Sequence, residues 1–212
     1  MALGTVPEEK PMDWVTALRT EAQTNSVVHA DALARKYNVG PIAVTQALAR
    51  QEQRGLVEHI GKKIYFNWLA SDASPRELVN VLRAKAYVSL DTALREYGIS
   101  TQSPRAVTCV TTERPRKFKG RTIQIVYRGI SPQLYWGFAQ KQTRYGSYQI
   151  AEPEKALLDF VYLALQDGIA PPLDELEFER VSRSKLVDYA RRFPSTVYKH
   201  LLPALATRPF TT

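Results

Sequence analysis

Residues 27–67, VVHADALARKYNVGPIAVTQALARQEQRGLVEHIGKKIYFN, carry the pattern from which the rest of the chain can be read. Residues 31–37 place Leu33, Ala34 and Tyr37 on one helical face, and Asn38, Val39 and Gly40 then interrupt it. Pro41 opens a second helix, because its fixed φ and missing N–H suit a first helical position, and Gly55 stops it after about Arg54. Val44, Ala47 and Leu48 form the buried stripe of that helix. Ile42, Thr45, Gln46, Ala49, Arg50 and Gln53 are left facing out, a polar face with a cation and no acid. Residues 56–60 and 63–67 then flank a two-residue Gly61-Lys62 turn, with glycine first as a type II′ hairpin prefers. The expected register sets Val57 against Phe66 and His59 against Ile64, with Lys62 and Lys63 at the tip. Helix, turn, helix and basic hairpin in this order read as a winged helix-turn-helix, a module whose second helix enters a DNA major groove while its wing meets phosphates. Helix and turn geometry alone select Thr45, Gln46, Arg50, Gln53, Lys62 and Lys63 as the DNA contacts.

A chain of 212 residues with 44% hydrophobic and 24% charged residues suits two modest soluble domains. Trp68 to Pro75 is rich in turn formers, which puts the boundary at about 69–74, between a reader at 1–69 and a second domain at 75–206. The formal charge of +8 favours a polyanionic partner. Most of it lies outside the reader, since residues 106–149 hold eight basic residues and one acidic residue, a net +7. The single cysteine, Cys109, sits in an apolar β-branched run and reads as a buried free thiol in a reducing compartment, so a cytoplasmic location is expected. Residues 1–10 lack the pattern of a signal peptide. The longest apolar helix candidate runs about ten residues, against roughly 20 for a membrane span, so no membrane segment is expected.

Ahead of the reader, Asp13 can cap a helix with Trp14, Ala17, Leu18 and Ala22 at helical spacing. Beyond the boundary, Pro75 starts a helix with Leu78, Val81 and Leu82 as its stripe, and Ser89 caps another that carries Ala93, Leu94 and Tyr97 and stops at Gly98. Strands at 106–112 and 121–128 can pair as a hairpin. Its connection holds Arg114, Arg116, Lys117 and Lys119 around an exposed Phe118, with Arg121 just beyond. Such interleaving suits a surface that meets phosphates and bases, and equally a solubilising hairpin tip. Leu134, Tyr135 and Trp136 read as packing residues at an irregular strand edge, with an aromatic site for a partner as the alternative. Residues 150–165 give a helix with Pro153 in its first turn, apolar nearly all round from Ala156, and therefore the central buried helix of this domain. Lys155 and Asp159, at i and i+4, can pair, and this ion pair together with helix capping by Glu152 and Glu154 accounts for the Glu, Lys and Asp trio without chemistry, with a catalytic role as the alternative. Ser182 or Ser184 caps a helix with Leu186, Tyr189, Ala190 and Phe193, and Pro194 opens a last one with Val197, Leu201, Leu202 and Leu205. The tail after Thr207 reads as loose.

The second domain resembles the antitoxin domain of the AbiEi family, the antitoxin half of the AbiE type IV toxin–antitoxin systems of bacteria. The resemblance rests on Tyr87, Ser89, Ala93, Leu94, Tyr97, Gly98 and Ile99 at their spacing, on the strand from Val107 to Thr112 with its basic connection, and most sharply on Ile150, Ala151, Pro153, Glu154, Lys155, Ala156, Leu157, Leu158 and Asp159 followed by Tyr162. It covers roughly residues 75–205, and a winged helix-turn-helix is the family's usual companion. It implies an α+β chain in which the winged module precedes a mixed α/β antitoxin domain with a β-hairpin and a central buried helix. It further implies a repressor of its own operon that binds double-stranded DNA repeats in the promoter and counters a nucleotidyltransferase-like toxin, without need of a stable complex. Arg114, Arg116, Lys117, Phe118, Lys119 and Arg121 are the candidate surface for that role or for phosphates. The motif's apolar residues transfer as fold markers, not as a catalytic site. No enzyme motif competes: residues 55–62 miss a phosphate loop by spacing and by Lys63 where a hydroxyl is needed. His29, His59 and His200 lie far apart, so neither a metal nor a cofactor is expected. Two other readings stand beside the antitoxin: a nucleic-acid-processing enzyme docked by a winged module, and a ligand-sensing regulator without a toxin.

Overall fold

The computed structural model describes residues 12–211, so residues 1–10 and the signal-peptide reading of them lie outside the described residues. The chain is mixed α and β, with eight α-helices and two sheets among the described residues. It divides into two units between Asp72 and Ala73.

The first unit begins with α1 (Trp14–Glu21), capped by the Asp13 carboxylate, which accepts from the Val15 and Thr16 N–H groups at 3.0 and 3.4 Å. A short strand β1 (Val27–His29) follows, absent from the sequence reading because three residues show no period. Next come α2 (Ala30–Lys36) and α3 (Pro41–Gln53). Asn38 ends α2 with φ 52°, and Gly55 ends α3 with φ 74°, both in the left-handed region that closes helix C-termini. Strands β2 (Val57–Gly61) and β3 (Ile64–Asn67) complete an antiparallel sheet of order β1-β3-β2. Leu18, Val28, Leu33, Val44, Leu48, Val57 and Tyr65 meet in one core, with Trp14 and Tyr37 packed against it. Asn67 is fully buried, yet its amide is satisfied, since its Nδ2 donates to the Leu18 carbonyl at 2.8 Å and its Oδ1 accepts from Leu69 N–H at 3.2 Å.

The hairpin departs from expectation by one residue. Gly61 pairs with Ile64, so Lys62 and Lys63 are the central turn residues, and Val57 faces Asn67 while His59 faces Tyr65. Moving the turn by one residue would shift the register by two, and a β-bulge between His59 and Gly61 takes one of these back; Gly61 takes φ 123°, which only glycine adopts readily. Both lysines then lie at positive φ, 48° and 64°, as the central pair of a type I′ turn requires.

The second unit is built on a six-stranded sheet of order β6-β7-β5-β4-β9-β8. Its strands are β4 (Ala86–Val88), β5 (Val107–Thr111), β6 (Arg116–Lys119), β7 (Gln124–Gly129), β8 (Phe138–Gln142) and β9 (Ser147–Ala151). The expected hairpin of β5 with β7 is corrected: these two run parallel, Cys109 beside Tyr127, and the hairpin is formed by β6 and β7. The 12 residues from Thr112 to Ile123 give the connection a parallel pair requires, and its middle folds as the outer strand.

A 3₁₀ turn at Pro75–Glu77 leads into α4 (Leu78–Leu82), whose buried residues are Leu78 and Val79, while Val81 is exposed. Helices α5 (Leu90–Glu96), α6 (Pro153–Gln166), α7 (Arg183–Ala190) and α8 (Ser195–Thr207) cluster around α6. Neighbouring strand residues point to opposite faces. The Tyr87 hydroxyl accordingly reaches Asp159 on α6, and the Tyr127 hydroxyl donates to the Val79 carbonyl of α4 at 3.1 Å. Ser182 stands at the start of α7 without a side-chain capping bond, and Leu202 of α8 is exposed rather than part of its stripe. The tail is tied down instead of loose: Thr211 N–H donates to the Val181 carbonyl at 3.1 Å and Phe210 meets Phe178 edge to face at 5.2 Å.

Candidate functional site

The outward face of α3 presents two rows at one-turn spacing, Ile42, Gln46 and Arg50 in one and Thr45, Ala49 and Gln53 in the other, all exposed. The side chains of Gln46, Arg50 and Gln53 have no hydrogen-bond partner among the described residues, so their side-chain donors and acceptors are open to a ligand. Thr45 differs, because its Oγ1 donates back to the Pro41 carbonyl at 3.0 Å. Ile42 was not among the expected contacts, yet it is 76% exposed at the start of the helix. An uncovered isoleucine just after the opening proline was the signal in the sequence. Glu52 is turned aside, its carboxylate accepting the His59 N–H at 2.8 Å and tying α3 to β2, which keeps an acid out of this face.

At the turn the two lysines are unlike. Lys63 pairs with Asp31 of α2 at 2.9 Å, and its carbonyl accepts the Ala30 N–H at 2.9 Å. Lys62 is exposed and has no ion-pair partner among the described residues.

In the second unit the basic cluster is an edge strand, not a hairpin tip. Arg116 lies opposite Tyr127 and Phe118 opposite Ile125, both on the side of the buried β7 residues, while Lys117 and Lys119 occupy the other face. Phe118 is half-buried, which corrects the expectation of an exposed aromatic. Arg114 precedes the strand and Arg121 lies in the β6–β7 turn, both exposed. None of Arg114, Arg116, Lys117, Lys119 and Arg121 has an ion-pair partner among the described residues, whereas Arg128 pairs with Asp167 at 2.8 Å and Lys141 with Glu96 at 2.6 Å. The sequence excess of charge thus becomes a line of five uncompensated cations along one sheet edge.

No family model and no characterised protein matches this sequence.

Beneath the sheet, Lys155 and Asp159 are both fully buried and in direct contact. Lys155 Nζ donates to the Tyr87 hydroxyl at 2.8 Å, and the Tyr87 and Ser89 hydroxyls each donate to Asp159 Oδ2 at 2.9 Å. Ser89 stands at the start of α5 but its hydroxyl is committed here, which corrects the expected cap. The rings of Tyr87, Trp136 and Phe193 surround the ammonium, with centroids 5.2, 5.4 and 5.2 Å away. Gly137, at φ 72°, leaves room for the lysine stem, since a Cβ there would lie 3.1 Å from Lys155 Cγ. Burial pushes Lys155 below the usual lysine range and Asp159 above the usual carboxylate range, each opposed by the attraction of the other. Leu90, next to Ser89, holds a left-handed φ of 55°. The i,i+4 pairing was readable from sequence, but its partners on β4 and at the start of α5, some 70 residues earlier, were not.

Proposed function

We propose that the chain is a DNA-binding repressor of its own operon and the antitoxin of a type IV toxin–antitoxin system. The first unit is read as a winged helix-turn-helix, with α3 as the recognition helix and the β2–β3 hairpin as the wing. The observation that carries the reading is the acid-free face of α3, where Gln46, Arg50 and Gln53 stand with open hydrogen-bonding groups. Glutamine can bridge adenine N6 and N7, arginine can bridge guanine O6 and N7, and an apolar residue such as Ile42 suits a thymine methyl. The antitoxin half rests on the sequence resemblance of the second unit to the AbiEi family and carries no enzymatic step. Within this reading the toxin is countered through the second unit, and the basic edge of β6 is the surface assigned to that task. The same charges keep that edge from pairing with other strands.

Two expected outcomes test the parts of this reading. Lys62→Asn with Lys63→Gly gives the turn residues that its two positive φ angles favour, and should raise stability by about 1 kcal/mol in urea denaturation. The same variant should bind every DNA sequence more weakly, with a salt slope lower by about one, because Lys63 is already offset by Asp31. Greater stability with an unchanged slope would remove the wing from the interface.

The antitoxin role is tested in cells expressing the nucleotidyltransferase-like toxin from a promoter the chain does not control. Arg114, Lys117, Lys119 and Arg121 replaced together by Glu should abolish rescue from growth arrest while leaving DNA affinity of the first unit within about twofold. Full rescue by this folded variant would take the edge out of the antitoxin role, and failure of the unaltered chain to rescue would reject the antitoxin reading itself.

A further inference from the structure

A recess of about 380 Å³ opens in the second unit where the parallel strands β5 and β7 begin. Arg76, Arg95 and Arg105 line it, from the 3₁₀ turn before α4, from α5 and from the loop entering β5, and no acidic residue lies among the lining residues. Arg76 is held in place, paired with Glu96 at 2.9 Å and donating to the Ser74 hydroxyl at 2.9 Å. Arg95 and Arg105 are exposed and have no ion-pair partner among the described residues, so their guanidinium charge is uncompensated. Thr92, which also lines the recess, is tied to β5: its Oγ1 accepts Thr108 N–H at 2.8 Å, and Thr108 Oγ1 in turn accepts Thr92 N–H at 3.1 Å. Pro75, Pro104 and Ile123 give the recess apolar walls, and Gln124 adds an amide.

We propose that this recess binds a small phosphorylated ligand of mononucleotide size. Two uncompensated guanidinium groups, Arg95 and Arg105, on one recess match a phosphate group better than a carboxylate, since each can present paired N–H donors to phosphate oxygens, while Arg76, tied to Glu96 and Ser74, forms part of the wall. The volume exceeds what an inorganic anion fills and lies within the range of small-molecule sites. The apolar walls suit a flat ring, and Gln124 can read a base edge. This site lies wholly in the second unit and does not depend on the assignment of α3 to DNA. Through it the concentration of a free nucleotide could be read by the domain assigned to toxin control.

The test uses the full chain and isothermal titration with the four 5′-mononucleotides, the matching nucleosides and inorganic phosphate. At least one mononucleotide should bind about tenfold or more tightly than its nucleoside and than phosphate. Arg95→Ala and Arg105→Ala should each weaken it about tenfold, at unchanged melting temperature of the free protein. Arg114→Ala with Lys117→Ala, on the β6 edge outside the recess, should leave it unchanged. The proposal is overturned if no mononucleotide binds at millimolar concentration, if nucleoside or phosphate binds as tightly, or if the two arginine variants bind normally. Displacement of the nucleotide by short duplex DNA would also overturn it, by assigning the arginines to a nucleic-acid surface.

Discussion

Lys155→Ala is expected to destabilise the second unit by about 3–5 kcal/mol, the usual cost of removing one partner from a buried ion pair. The substitution leaves the Asp159 carboxylate fully buried with only the Tyr87 and Ser89 hydroxyls to solvate it, and opens a void beneath Gly137 and the rings of Tyr87, Trp136 and Phe193. Asp159 already sits above the usual carboxylate range through burial, and loss of the ammonium raises it further. A carboxyl with a raised folded-state pKa costs stability when ionised, so the deficit of this variant should be largest at neutral pH. It should shrink as pH falls into the range where Asp159 binds a proton. Replacing both residues, Lys155→Met with Asp159→Leu, removes the charges together and should cost about 2 kcal/mol less than Lys155→Ala alone. Urea denaturation followed by fluorescence, with Trp136 beside the pair as a reporter, measures all three. A loss under 1 kcal/mol for Lys155→Ala, or a double variant worse than the single, would show that the pair does not hold this core together.

How far the sequence could be read depended on where the stabilising contacts were local. The helices of the first unit were readable because their signals lie within a turn of the chain: Asp13 at a cap, Pro41 at a first position, Gly55 at a stop. The central helix α6 was readable for the same reason, and so was the pairing of Lys155 with Asp159. The hairpin register slipped because glycine suits a bulge as well as a turn, and only cross-strand pairing decides which role Gly61 plays. The strand β6 was hidden by its composition, since Arg116, Lys117 and Lys119 lack the period and the β-branched residues of an inner strand, and an edge tolerates such residues. With β6 unseen, β5 and β7 could only be joined as a hairpin. Strands β8 and β9 were not legible because Phe138–Gln142 is largely polar and the last two residues of Ser147–Ala151 read as the start of the helix at 150–165, which opens only at Pro153, and their place is fixed by pairing with each other and with β4. Ser89 shows the limit most clearly, because a serine before a helix is a cap by local rules and a buried donor to Asp159 by tertiary contact.

The DNA candidates divide in the same way. Gln46, Arg50 and Gln53 were identifiable from helix geometry, and the structure leaves them exposed. Thr45 and Lys63 were identifiable too, but each already spends its polar group within the first unit, on the Pro41 carbonyl and on Asp31. That concentrates the expected base reading on Gln46 and Arg50, four residues apart in one row.

The decisive measurement compares Kd for the DNA upstream of the chain's own gene with Kd for random duplex of equal length, at one fixed salt concentration, for the unaltered chain and for Gln46→Ala with Arg50→Ala. Each bidentate contact to a base is worth about 1–3 kcal/mol of discrimination, so losing both should bring the ratio of the two Kd values to about one. Binding to random duplex should fall far less, because the phosphate contact proposed for Lys62 at the β2–β3 turn is untouched by this variant. A double variant that keeps the full preference for the upstream DNA, or an unaltered chain that shows none, would contradict the assignment of α3 as the element that reads DNA.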